Sequence, residues 1–225
     1  MTFEPLRVRA HLQAPVVGDA YLPLDGLIFY QIHRHDLGAE VMTLPGEKVD
    51  TGNRSRTPMP FEKRRPASDS GLSRHAWYWA SSFAQWPAHT AEGKDHWNKR
   101  FDDRYADLVD FGKRRGKVIT GRGDYKAYHM PVFYRHALYV EWYCMADKSE
   151  LERWLPFCTH LGKKYSQGWG AVLGWEVMAW PEDWSERGPG GKIMRALPVT
   201  EGGRRYGIRP SYWNRRHQFP CLLPT

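Results

Sequence analysis

The chain has 225 residues, 33 Lys and Arg against 25 Asp and Glu for a formal net charge of +8, and 41% hydrophobic residues. That length suits one well-cored domain, or one domain with a sizeable insertion, and the apolar fraction excludes a histone-like polycation. The basic excess favours a nucleic-acid or anionic-surface partner, and the 11 Trp and 12 Tyr beside it suit a reader of single-stranded RNA or DNA, because stacking needs exposed bases.

Leu6 to Gln13 alternates apolar residues (Leu6, Val8, Ala10, Leu12) with polar ones, the period of a half-buried strand. Leu22 to His33 follows, with apolar residues at 24, 27, 28 and 32 and Asp25 in the first turn of the helix this spacing predicts. From 45 to 71 the composition shifts to Gly, Pro, Ser, Thr, Arg and Lys, a long basic insertion with few apolar anchors. Arg74 to Phe83 is an aromatic strand candidate, and the alternating charges of Lys94 to Phe111 are compatible with a helix. The glycine-punctuated basic segment from Phe111 to His129 carries Arg114, Arg115, Arg122, Lys126 and Tyr128; it could line a phosphate-tracking groove or form a solvated hairpin.

His136 to Ala146 reads as a strand with Leu138, Val140, Trp142 and Cys144 on one face and Tyr139, Glu141 and Tyr143 on the other. Asp147 is placed to cap a helix with Glu150 at its third position, Leu151, Trp154, Leu155 and Cys158 fall on one helical face, and Pro156 should shorten that helix. The loop Leu161-Gly-Lys-Lys-Tyr-Ser-Gln-Gly-Trp-Gly170 then precedes a strand from Ala171 to Trp180. Its glycines permit positive φ and close approach of backbone N–H groups to a ligand, Lys163 and Lys164 supply charge, Ser166 and Gln167 hydrogen bonds, and Tyr165 and Trp169 stacking faces. Strand, helix, glycine-rich loop and strand make half of a split β-α-β unit, and the amino-terminal strand and helix can supply the rest. The tail from 181 to 225, rich in Pro, Gly and Arg, is expected to pack as an irregular extension.

Cys144, Cys158 and Cys221 are far apart with no CxxC pair, against a disulfide framework or a structural zinc. No apolar run reaches the roughly 18 residues of a membrane span, and Met1-Thr-Phe-Glu-Pro lacks a signal-peptide pattern, so a soluble, cytoplasmic protein with no membrane partner is expected.

Several segments together resemble one group: the first strand followed by Leu22-Pro-Leu-Asp-Gly26, then Gly121-Arg-Gly-Asp-Tyr-Lys-Ala-Tyr128, the glycine-rich loop, and Ile208-Arg-Pro-Ser-Tyr-Trp213. They look like the RAMP superfamily of CRISPR proteins, and most like the Cas-five-type subunit of type IV effector complexes. The resemblance implies an α+β fold: a single RAMP-type domain over 1–225 with a ferredoxin-like (RRM-like) core, long basic insertions and the irregular C-terminal extension. It implies a subunit that holds the 5′ handle of the CRISPR RNA, caps the backbone subunits and meets the large subunit near the protospacer-adjacent motif of target DNA. By matched position the RNA contacts are Lys163, Lys164, Gln167 and Trp169, with Tyr165 and Gly168 beside them and Arg114, Arg115, Arg122, Lys126 and Tyr128 in the second basic segment. Arg54, Arg56, Lys63, Arg64 and Arg65 in the insertion are the candidate contacts to target DNA.

A metal-independent endoribonuclease acting on repeat RNA is the alternative, since RAMP relatives include such enzymes. It needs a histidine general base, for which His33, His35 and His129 are candidates. His33 and His35 are two apart, which in a helix points the rings to nearly opposite sides. No carboxylate cluster resembles a two-metal nuclease, so neither metal nor cofactor is expected. A binding subunit without catalytic residues is the expectation.

Overall fold

The computed structural model describes residues 1–38, 57–66, 71–110 and 116–224. Its elements are β1 (Glu4–Leu12), β2 (Val16–Val17), α1 (Leu24–Leu37), β3 (Lys63–Arg64), β4 (Tyr78–Trp79), β5 (Ala91–Lys99), β6 (Tyr128–His136), β7 (Tyr139–Ala146), α2 (Lys148–Trp154), β8 (Val172–Ala179), β9 (Leu197–Pro198), β10 (Arg204–Gly207) and β11 (Gln218–Leu222).

The two-residue alternation of β1 gives it one apolar face, and that face fixes its place at the centre of the main sheet. The order is β7-β1-β8, with β1 antiparallel to both neighbours. β7 and β8 are therefore parallel without touching, and the connection through α2 passes over β1, a split β-α-β arrangement. Leu6, Val8 and Ala10 pack with Val140, Trp142 and Cys144 beneath Leu24, Ile28 and Ile32 of α1 and Leu151 and Trp154 of α2. The Asp147 carboxylate accepts from the Glu150 N–H at 3.2 Å, as the capping pattern requires. Pro156 turns the chain into a 3-10 turn at Leu155–Phe157, which ends α2. Segment 80–85 runs along the outer edge of β7, with the Met145 N–H donating to the Ala80 carbonyl and the Ser82 and Gln85 N–H groups to those of Tyr143 and Glu141.

The opposite face of this sheet carries charge, most of it paired within the face, with Arg7 and Arg9 sharing Glu141. Arg9 donates to Glu141 at 2.7 and 2.9 Å and lies 4.4 Å from the Tyr139 ring centroid, while His11 meets Glu176 at 2.8 Å.

Four expectations are corrected. Lys94 to Phe111 is not a helix: its first part is β5, paired with β6, and a 3-10 turn follows at Asp103–Leu108. Its alternating charges belong to a solvated strand whose period is two, which a helical reading misses. Arg74 to Phe83 forms regular strand only at β4, against β3. Leu138 is 69% exposed in the turn between β6 and β7, whereas Tyr143 is buried beneath Trp180 and Trp184. The tail is irregular only in part; within it β9, β10 and β11 form a sheet of order β10-β11-β9 with its own core, in which Ile208, Leu197 and Cys221 meet Ala76, Tyr78 and Phe83. The three cysteines are buried and free, with burial pushing the Cys158 thiol up to about 12 and that of Cys221 to about 11.

Arg195 joins the two cores. It is 0% exposed, and its guanidinium donates to the carbonyls of Trp79, Ser81 (3.0 Å) and Ile208 (2.6 Å) while lying 4.5 Å from the Tyr78 ring centroid. Its charge also acts on Asp25, buried in the first turn of α1, whose carboxylate accepts from the Tyr212 hydroxyl at 2.6 Å. Burial holds the Asp25 carboxyl above its ordinary value, and the Arg195 charge works in the opposite direction.

Arg195→Met should therefore cost about 3–5 kcal/mol, because it strands three carbonyls and the buried carboxylate. A carboxyl with a raised folded pKa loses stability as pH rises through that value, and loss of Arg195 raises it further. Thermal melts of the variant should accordingly fall further behind wild type at neutral pH than near pH 4; a small, pH-independent loss would contradict the action of the Arg195 charge on Asp25.

Candidate nucleic-acid interface

β5 and β6 form a long antiparallel hairpin, joined at its base to β2 through Val16 opposite Arg135 and Val17 opposite Tyr134. The glycine-rich loop docks on the same β2. The Lys163 N–H donates to the Val17 carbonyl at 2.6 Å and the Gly170 N–H to the Pro15 carbonyl at 2.8 Å. Gly162, with φ of 75°, lies so close that a Cβ there would sit 2.2 Å from the Val17 oxygen. Gly168 also has positive φ but faces open space. Close approach at Gly162 thus serves the protein's own backbone, not a ligand as the loop's composition suggested.

Two segments distant in sequence meet through this docking. Lys164 lies with its ammonium 3.9 Å from the Trp97 ring centroid, Trp97 stacks on Tyr128 with centroids 5.9 Å apart and planes 15° apart, and the Lys99 and Lys126 ammoniums lie 5.8 and 5.7 Å from Tyr128. Trp169 meets Tyr134 of the hairpin at 5.1 Å. The result is a stacked ring pair, Trp97 on Tyr128, flanked by Lys164 on one side and by Lys99 and Lys126 on the other, a column of cations and rings along one side of the hairpin. Tyr165, 65% exposed, stands beside it in the 3-10 turn Tyr165–Gln167. Lys164 itself has φ of 65°, a left-handed conformation that costs a lysine roughly 1–2 kcal/mol and aims its side chain at Trp97. No Asp or Glu forms an ion pair with Lys126 or Lys164 among the described residues.

Of the sequence-derived candidates, Lys126, Tyr128, Lys164 and Trp169 come together here, and Lys163, Gln167 and Gly168 are exposed on the adjoining loop. Arg122 is exposed in the segment that connects the hairpin strands. Arg54, Arg56, Arg114 and Arg115 lie outside the described residues. Lys63 lies elsewhere, 4.1 Å from the Trp77 ring centroid, and Arg65 is exposed. Arg64 is committed to protein contacts, pairing with Glu62, Asp183 and Glu186 at 2.6, 2.6 and 3.2 Å. Phe61, buried in the main core, anchors the described part of this segment. Trp97, Lys99 and Tyr134 were missed. A period-two reading of 91–99 would have placed Trp97 and Lys99 on one face.

Among the candidate bases, His33 is buried, with Nδ1 2.9 Å from the Phe29 carbonyl and its ring 3.8 Å from that of Phe29. His35 is exposed beside Asp36, so the two rings part as their spacing requires. His129 stacks on His96 at 4.4 Å and contacts Asn98 at 2.6 Å. Among the described residues, no three His, Cys, Asp or Glu side chains gather as a metal site would. No described helix is long and apolar enough to cross a membrane.

The family model described as CRISPR type IV associated protein Csf3 matches residues 4–224. The chain belongs to the Csf3 family. No curated protein matches it. The Csf3 match takes in both cores, the hairpin and the glycine-rich loop, and supports a subunit of a type IV CRISPR effector complex.

Pinning of the Csf3-family glycine loop on β2 can be checked with two glycines. Gly168→Ala should cost about 1 kcal/mol for its left-handed backbone, roughly 2–4 °C in melting temperature. Gly162→Ala adds the clash with Val17 and should lose at least twice as much; equal losses would mean that the loop is not held there.

Proposed function

We propose that the chain is a Cas-five-type RAMP subunit, a single domain with a ferredoxin-like core, that holds the 5′ handle of the CRISPR RNA in a cytoplasmic type IV complex. The observation that carries this reading is the cation and ring column formed by Lys126, Tyr128, Trp97 and Lys164. Unpaired bases stack on such rings for about 1–3 kcal/mol each, and the lysines attract phosphates without demanding a sequence. The split β-α-β arrangement, with segment 80–85 along the edge of β7, supports the ferredoxin-like assignment. The charged sheet face is mostly paired internally, which favours the hairpin side over the sheet face as the RNA surface.

In the same reading the subunit caps the backbone and meets the large subunit beside target DNA near its protospacer-adjacent motif. Lys63 and Arg65 remain the described candidates for that DNA contact, because the charge of Arg64 is already matched by acids. The role is binding without cleavage: His33 is buried against Phe29, and His129 is stacked on His96.

Salt titrations of handle RNA binding test this reading. Lys126→Ala with Lys164→Ala should lower the log-log salt slope by about 1.4, two contacts at about 0.7 each, while Trp97→Leu should weaken binding by roughly 5- to 150-fold with little change in slope. Unchanged binding in both variants would remove the column from the interface. Labelled repeat RNA should remain intact with the protein in EDTA or magnesium; a specific cut lost in His129→Ala would make it a nuclease.

A further inference from the structure

A second gathering of cations and rings lies away from the hairpin. A cleft of about 1190 Å³ opens between α1, segment 57–63 and the C-terminal sheet. Trp77 and Trp79 line it, with centroids 5.3 Å apart and planes at 82°. Lys63, Arg205, Arg215 and Arg216 stand exposed at its rim. Arg209 lies deeper, 6% exposed, donating to the carbonyls of His75 and Trp77 at 2.8 and 3.0 Å with its guanidinium 4.4 Å from the Trp77 ring centroid. No Asp or Glu is among the described residues that line the cleft.

The contrast with the adjacent residue on β3 is informative. Successive strand side chains point to opposite faces, so Arg64 reaches Glu62, Asp183 and Glu186 while Lys63 faces the cleft without an acid. Burial pushes Arg209 down to about 10, and burial, then the charges of Arg65 and Arg209, push Lys63 down as well. Five like charges around an aromatic floor repel one another, and an anion seated among them relieves that repulsion. The cleft is far larger than one phosphate needs, and its rings give a planar group an apolar surface to contact.

The geometry points to this cleft as a second nucleic-acid site that takes an unstacked nucleotide of a single strand, its base against the tryptophan floor and its phosphates on Arg205, Arg215 and Arg216. A base within a duplex is already stacked and cannot reach the floor. Four exposed rim cations exceed what the phosphate of a lone nucleotide needs and suit several phosphates of one strand. This inference does not depend on the hairpin.

The test uses the full chain carrying Trp97→Leu, Lys126→Ala and Lys164→Ala, so that failure of the hairpin reading and of this one are separable. A fluorescent ten-nucleotide single-stranded RNA should still bind, at least about tenfold more weakly once Arg215→Glu and Arg216→Glu are added on the exposed turn at Arg215–His217. Hydrogen exchange should slow at 73–79 and 205–219 when the RNA is added, and not in the Arg215→Glu, Arg216→Glu protein. Undiminished binding in that protein, or no slowing at those segments, would overturn the proposal. So would equal protection by AMP or inorganic phosphate at the same concentration, which would make this a site for a free anion.

Discussion

The candidate interface depends on two residues, Val16 and Val17. One edge of this short strand pairs with β6 and so fixes the base of the hairpin; the Val17 carbonyl, with that of Pro15, receives the glycine-rich loop. Each such backbone hydrogen bond contributes a net stabilisation of about 0.5–1.5 kcal/mol, comparable to an exposed cation–π contact at about 0.5–1. The contacts of Lys164 with Trp97 and of Trp169 with Tyr134 could not hold a projecting hairpin alone. They form because β2 has already brought both partners to one place.

Charge in this fold is divided between structure and surface. Arg9 with Glu141, His11 with Glu176, and Arg64 with its three acids bind elements of the protein together. Arg195 does so at the junction of the two cores, with carbonyls as its acceptors. The cations without acid partners among the described residues concentrate on the hairpin side and at the cleft, where formal excess charge becomes available to a polyanion. That division explains why counting arginines in the sequence overstates the basic surface of the 57–66 segment.

Much of the main core was legible in the sequence because its signals are local. The alternation of β1, the apolar stripe of α1 and the Asp147 cap each act within a few residues. β5 was not legible as a strand, since a solvated hairpin strand has no apolar face to reveal its period and its partner lies beyond a long connection. The C-terminal sheet was hidden for a similar reason, because its core is completed by Ala76, Tyr78 and Phe83 from far upstream. Composition identified the glycine-rich loop, yet gave Gly162 the wrong neighbour: the atom that excludes a side chain there is the Val17 carbonyl oxygen.

Photo-cross-linking of thiouridine-substituted handle RNA to the purified protein, followed by peptide mapping, tests the central claim most directly, because it reports where unpaired bases lie. Adducts should concentrate on the peptides that carry Trp97, Tyr128 and Tyr165. Adducts confined to the open face of the main sheet around Tyr139, with the hairpin and the glycine-rich loop unlabelled, would contradict the account.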